Sequence, residues 1–210
     1  MSNSKLELIT RICQLCISRN NPQNELDNII KEYLQNNNFG SSSDDFNIRT
    51  LKRGYTILHI CSRFGLISCL KYLIHEKNSI LRQDTNYCHD INIDLNVLNY
   101  DGETPLYLAV KNGYSLCATA LIECGANLDC PEKRGISPLA RALSEDKLDI
   151  VRLLVLSGCD LSILNPGYEN EYEDVGFMEL TDSRELIDFL LRFCFRNLGN
   201  FGSSIKLKVL

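Results

Sequence analysis

Apolar residues return along this chain at steps of three and four, separated by short polar stretches, which is the pattern of helices that each bury one face. Leu6, Leu8, Ile9, Ile12 and Leu15 form one stripe. Leu26, Ile29, Ile30, Tyr33 and Leu34 form a second beyond the turn-forming Asn20-Asn-Pro-Gln-Asn24. Further stripes follow at Leu106, Ala109 and Val110, at Leu121 and Ile122, at Leu153 and Leu154, and at Leu186, Ile187, Leu190 and Leu191. Their ends are marked: Thr104 is placed to cap a helix whose first turn takes Pro105, and Gly125 to end the next helix in the left-handed conformation.

The stripes repeat by role. Asp101-Gly-Glu-Thr-Pro-Leu-Tyr-Leu-Ala-Val-Lys-Asn-Gly113 is echoed 33 residues later by Arg134-Gly-Ile-Ser-Pro-Leu-Ala-Arg-Ala-Leu-Ser-Glu-Asp146. The phrase also occurs earlier, as Arg53-Gly-Tyr-Thr-Ile-Leu-His-Ile-Cys-Ser-Arg-Phe-Gly65, set back 48 residues by an insertion. A period of 33 carrying a Gly-x-Thr-Pro-Leu-His phrase resembles the ankyrin-repeat family. The fold this implies is an all-α solenoid of helix-turn-helix units whose stacked neighbours share one core, with degenerate terminal caps.

Residues 1–46 are then a degenerate helical N-terminal cap, 47–165 the repeats, and 166–210 a degenerate C-terminal capping repeat or a tail of another kind. An insert at 75–94 leaves the stack after a second helix, with Ile80, Leu81, Tyr87 and Ile91 available to anchor it. The third unit departs from the pattern twice. Asp146 stands where glycine is usual, tolerable because Asp accepts tight turns, and Arg141 occupies an often apolar position that is expected to face solvent or a partner.

Composition narrows the function. A hydrophobic fraction of 44% with five prolines among 210 residues suits a folded chain, and a net charge of −5 disfavours general nucleic-acid binding. The N-terminus lacks the apolar core of a signal peptide and no run approaches a membrane span, so the expectation is a soluble intracellular protein without membrane contact, in the cytoplasm with the nucleus as a second compartment. Ten cysteines in a reducing compartment read as packing choices: Cys61 takes the small-residue slot of Ala109 and Ala142.

Candidate chemistry is thin. His59 reads as a structural hydrogen-bonding residue near Thr56. Cys13-x-x-Cys16 and Cys88-His89 are incomplete as zinc sites, and no nucleophile, base and orienting acid can be assembled. The expectation is a protein that is not an enzyme, with no metal and no cofactor.

The resemblance implies a binding face on the concave side, built from finger tips and the open part of each first helix. Carried onto this sequence it comprises Lys52, Arg53 and Tyr55, then Tyr100, Asp101 and Glu103, then Lys133, Arg134 and Ile136, with Arg63, Phe64, Lys111, Asn112, Ser144 and Glu145 at the helix ends. Aromatic and Arg residues are favoured interface anchors. The implied function is a scaffold that binds a protein partner as a monomer.

At the C-terminus, Leu190, Cys194 and Leu198 stand at four-residue intervals and weakly resemble the elongin-binding element of a SOCS box. The usual cullin-contacting phrase is missing. That resemblance implies an alternative, a substrate receptor of an elongin and cullin ubiquitin ligase.

Overall fold

The structure is a computed structural model and describes residues 28, 53–79, 93–162, 181 and 183–197. Lys52, Leu198, the Cys13 and Cys16 pair, and Cys88-His89 lie outside them, as do the side chains of 75–79 and 194–197.

The described residues form three helix pairs and a final helix, with no strand among them. Helices α1 (Ile57–Phe64) and α2 (Ile67–Ser79) make the first pair, α3 (Pro105–Asn112) and α4 (Ser115–Glu123) the second, α5 (Pro138–Ser144) and α6 (Leu148–Leu156) the third. Helix α7 (Arg184–Asn197) closes the series. First helices stack on first helices, α1 on α3 on α5, and second helices on second helices, α2 on α4 on α6 on α7. Helix α2 runs through Ser79, a turn longer than α4 and α6, so the chain is still helical over the first residues of the stretch read as an insert.

Each first helix starts the same way. The Thr104 hydroxyl accepts from the Tyr107 N–H at 3.0 Å and the Ser137 hydroxyl from Ala140 at 3.2 Å, with Pro105 and Pro138 in the first turns. In α1 the cap is reinforced by His59. The Thr56 N–H donates to His59 Nδ1 at 3.0 Å, which leaves the proton on Nε2, 3.1 Å from the Glu103 carbonyl of the next repeat. Nδ1 thereby braces the cap of its own repeat while Nε2 reaches the next one, in agreement with the structural reading of His59.

The core is a set of columns. Leu58, Leu106 and Leu139 are each at most 1% exposed, and Cys61, Ala109 and Ala142 are fully buried where the first helices pass one another. On the second helices Leu73, Leu121 and Leu154 form an equivalent column, whereas Ile122 and Leu153 are only partly buried. Leu186 and Leu190 of α7 extend it. The turn column reads Gly65, Gly113 and Asp146, with φ of 69°, 80° and 51°. Asp146 is the one non-glycine residue at positive φ among the described residues, and its carboxylate accepts from the Thr181 hydroxyl.

Two side chains 33 apart join the outer loops in a way the sequence reading did not anticipate. Asn96 accepts from the Asn127 N–H at 2.7 Å and Asp129 from the Asp160 N–H at 2.8 Å, so each repeat hands a side-chain acceptor to the backbone of the next. The cysteines sit in the packed interior: Cys61, Cys69, Cys117 and Cys159 are buried thiols. Burial, with Asp129 and Asp160 nearby, pushes Cys159 up to about 12, far from the reactive thiolate.

One column contains a mismatch. Ser62 occupies the slot of Val110 and Leu143, is fully buried, and its hydroxyl has no hydrogen-bond partner among the described residues. An orphaned buried hydroxyl costs about 1–3 kcal/mol. Ser62→Ala should therefore raise the unfolding free energy by about 1 kcal/mol, read as a higher urea midpoint at constant slope.

Candidate partner-binding surface

The face expected to be concave comprises three fingers, the first described only from Arg53, and the open faces of α1, α3 and α5. The second and third fingers each close on themselves. Asn99 N–H donates to the Glu103 carbonyl at 3.0 Å and Glu132 N–H to the Ile136 carbonyl at 3.1 Å, around Gly102 and Gly135 at positive φ. Polar side chains brace the turns from within. Asn99 Oδ1 accepts from the backbone of Asp101 at 2.9 Å and Glu103 at 2.8 Å, and Glu132 Oε1 from that of Arg134 at 2.9 Å. Neighbouring fingers are linked sideways by Tyr100 N–H to the Arg53 carbonyl, 2.9 Å, and Lys133 N–H to the Asp101 carbonyl, 3.2 Å. The fingers are thus a coupled edge.

Behind that edge runs a row of cations over aromatic rings. Arg63 donates to the Tyr55 hydroxyl at 3.0 Å, with its guanidinium 5.7 Å from the Tyr55 ring centre and 5.8 Å from that of Phe64. One repeat on, Lys111 lies 6.0 Å from the Tyr107 ring and binds Glu103 at 2.5 Å. Arg141 of the following repeat donates to the Tyr107 hydroxyl at 3.1 Å with its guanidinium 6.0 Å from the same ring, and meets Glu145 at 3.7 Å. Tyr107 stands in the place that His59 holds in the first repeat, and its longer side chain reaches across to Arg141. Burial raises its phenol above the ordinary range, so it stays a neutral hydroxyl. Lys147 completes the row by donating to the last carbonyls of α3, those of Val110 at 3.0 Å and Lys111 at 2.6 Å.

The residues expected on this face divide by accessibility. Arg53, Tyr100, Asp101, Lys111, Asn112, Lys133 and Arg134 are exposed, as are Ser144 and Glu145. Tyr55 at 9% and Glu103 at 4% are buried, and work from beneath by holding Arg63 and Lys111. Phe64 and Ile136 are partly buried against the core. Arg141, expected to meet solvent or a partner, is instead largely committed to Tyr107 and Glu145. Tyr107 and Lys147 were missed, because their contacts join residues more than 30 positions apart.

Glu103 gives the face a pH dependence. Burial pushes its carboxyl up, but the hydrogen bonds from Lys111 and Asn99, with the charges of Lys111 and Arg63, outweigh this, and it titrates below its usual 4.5. A carboxyl depressed on folding adds stability that is complete above its unfolded value and is lost as pH falls through the folded one. The denaturation midpoint should therefore drop as pH is lowered below about 4.5, and Glu103→Gln should make that drop shallower. Parallel pH profiles for the two proteins would contradict this assignment.

Comparison with known proteins agrees with this architecture. Residues 80–165 match a family model described as ankyrin repeats in three copies, and residues 53–85 match the single ankyrin repeat. The chain belongs to the ankyrin-repeat family. Among curated relatives, the B-cell lymphoma 3 protein homolog of Mus musculus is 32% identical over 112 residues, covering 53% of this chain and 22% of that protein. An ankyrin repeat protein of Rickettsia bellii is 28% identical over 53% of this chain and 47% of its own length. An ankyrin repeat protein of fowlpox virus is 28% identical over 62% of this chain and 33% of its own. The chain thus spans less than half the length of each of these relatives. Ankyrin repeats make it a protein-interaction domain. Among the described residues no helix is long and apolar enough to cross a membrane.

Proposed function

We propose that this chain is a noncatalytic interaction scaffold that acts as a monomer in the cytoplasm, with the nucleus as a second site, and seats a protein partner on the concave face. The observation that carries this reading is the Tyr107 and Arg141 contact, because it joins the first-helix faces of successive ankyrin repeats. Cations already fixed over rings lose little freedom when a partner arrives, which favours affinity.

The test starts from a partner recovered by affinity purification and identified by mass spectrometry. Combined Arg53→Ala, Arg63→Ala, Tyr100→Ala and Arg134→Ala should weaken that partner on the order of a hundredfold. The helical signal should be retained. Equal binding by variant and wild type would move the interface to the convex side or the termini.

Recruitment of elongin and a cullin is the second reading, resting on the spacing of Leu190, Cys194 and Leu198. It asks Leu190 to be available to another protein. Leu190 is 1% exposed and belongs to the shared core, which supports the scaffold reading over the ligase.

A further inference from the structure

From Ile93 to Tyr100 the second finger, which turns at Leu95-Asn96, alternates between core and solvent: Ile93, Leu95, Val97 and Asn99 are buried, while Asp94, Leu98 and Tyr100 are exposed. The outward positions of such a segment are ordinarily polar. Here two of them are large and apolar, Leu98 at 45% and Tyr100 at 48% exposure, on the same side of the finger. The equivalent positions one repeat on are Pro131 and Lys133, so the apolar pair belongs to this finger and not to the repeat pattern. Tyr100 is also held in place. Its ring lies flat enough against Gly54 that a Cβ there would sit 2.7 Å away, leaving a fixed aromatic surface with one side open.

Charge surrounds the pair unevenly. Arg53 and Asp101 lie close to each other at 3.6 Å and are both more than half exposed. Lys133 and Arg134, on the adjoining finger, are exposed and take part in no ion pair among the described residues. Beside the apolar spot, this edge thus presents two cations without an ion pair among the described residues, with Glu132 accepting from the Arg134 backbone N–H and Asp101 engaged by Arg53. An isolated apolar pair would suit many partners, and cations next to it select among them.

We infer that the second finger is the landing point for an acidic, apolar-anchored peptide segment of another protein, whose apolar side chain covers Leu98 and Tyr100 while its carboxylates face Lys133 and Arg134. This rests on the concave-face reading and adds the chemistry of the partner. A single-stranded nucleic acid fits less well. Leu98 offers no ring for base stacking and Asp101 stands where a phosphate would pass.

The probe is a phage-displayed library of random linear peptides selected on the full chain. Enriched peptides should place Asp or Glu beside Leu, Phe or Trp. Synthetic copies should bind at least about tenfold more weakly to Leu98→Ser and to the double variant Lys133→Glu, Arg134→Glu, both with unchanged melting temperatures. Wild-type affinity should fall with added salt, and that of the double variant much less. Failure of acidic peptides to enrich, or binding that survives both variants, overturns the proposal. If the selected peptides are lost instead with Arg63→Ala and Asn112→Ala, the concave-face reading stands while the finger proposal fails. Peptides indifferent to both sets sink both. Saturable binding of a poly(dT) oligonucleotide, weakened by the same finger variants, would also overturn the proposal in favour of nucleic acid.

Discussion

Truncation of Leu106 or Leu139 to Ala will lower the unfolding free energy by about 2–5 kcal/mol, the range for a fully buried leucine that leaves a cavity. Leu106 is 0% and Leu139 1% exposed, and each lies in the layer where α1, α3 and α5 pass one another. Neither helix exceeds eight residues, so its stability comes from its neighbours and not from its own propensity. The loss should spread accordingly. Urea unfolding followed by circular dichroism will show a lower midpoint for both variants, and hydrogen exchange will show faster opening in the adjacent repeat as well as the mutated one. A change below about 0.5 kcal/mol at both positions, the size of an ordinary surface effect, would contradict the stacked core.

Leu190→Ala will have an effect of similar size, about 2–5 kcal/mol, because Leu190 and Leu186 of α7 fill the end of the column formed by Leu73, Leu121 and Leu154. Among the described helices, α7 packs chiefly against α6. Its loss would uncover part of α6, against which it packs, and destabilise the C-terminal half of the stack more than the N-terminal half. The same substitution separates the two functional readings. A helix reserved for elongin would tolerate Leu190→Ala in the free protein and lose only capture, with an unchanged melting temperature. A lowered melting temperature in the absence of any partner is the expected outcome.

The repeat arrangement itself was legible in the sequence. Thr104 and Ser137 before Pro105 and Pro138, the shared small-residue slot of Cys61, Ala109 and Ala142, and the spacing of Leu106 and Leu139 all describe roles inside one repeat, and periodic roles leave periodic residues. Even the irregular Asp146 was readable, since few side chains accept a positive φ and Asp is one of them.

The character of the concave face was decided by stacking. Tyr55, Tyr100 and Glu103 looked alike as finger residues, yet Tyr55 and Glu103 are buried supports for Arg63 and Lys111 while Tyr100 stays open against Gly54. Arg141 looked like an open-face charge and is instead the partner of Tyr107, 34 residues away. The sequence by itself determined which positions each repeat buries, caps and turns on, because those demands are local and recur every 33 residues. Only the tertiary structure decided which polar and aromatic side chains meet across the repeats. That depends on the distance and angle at which one helix pair lies on the next, and no period within a single repeat records either.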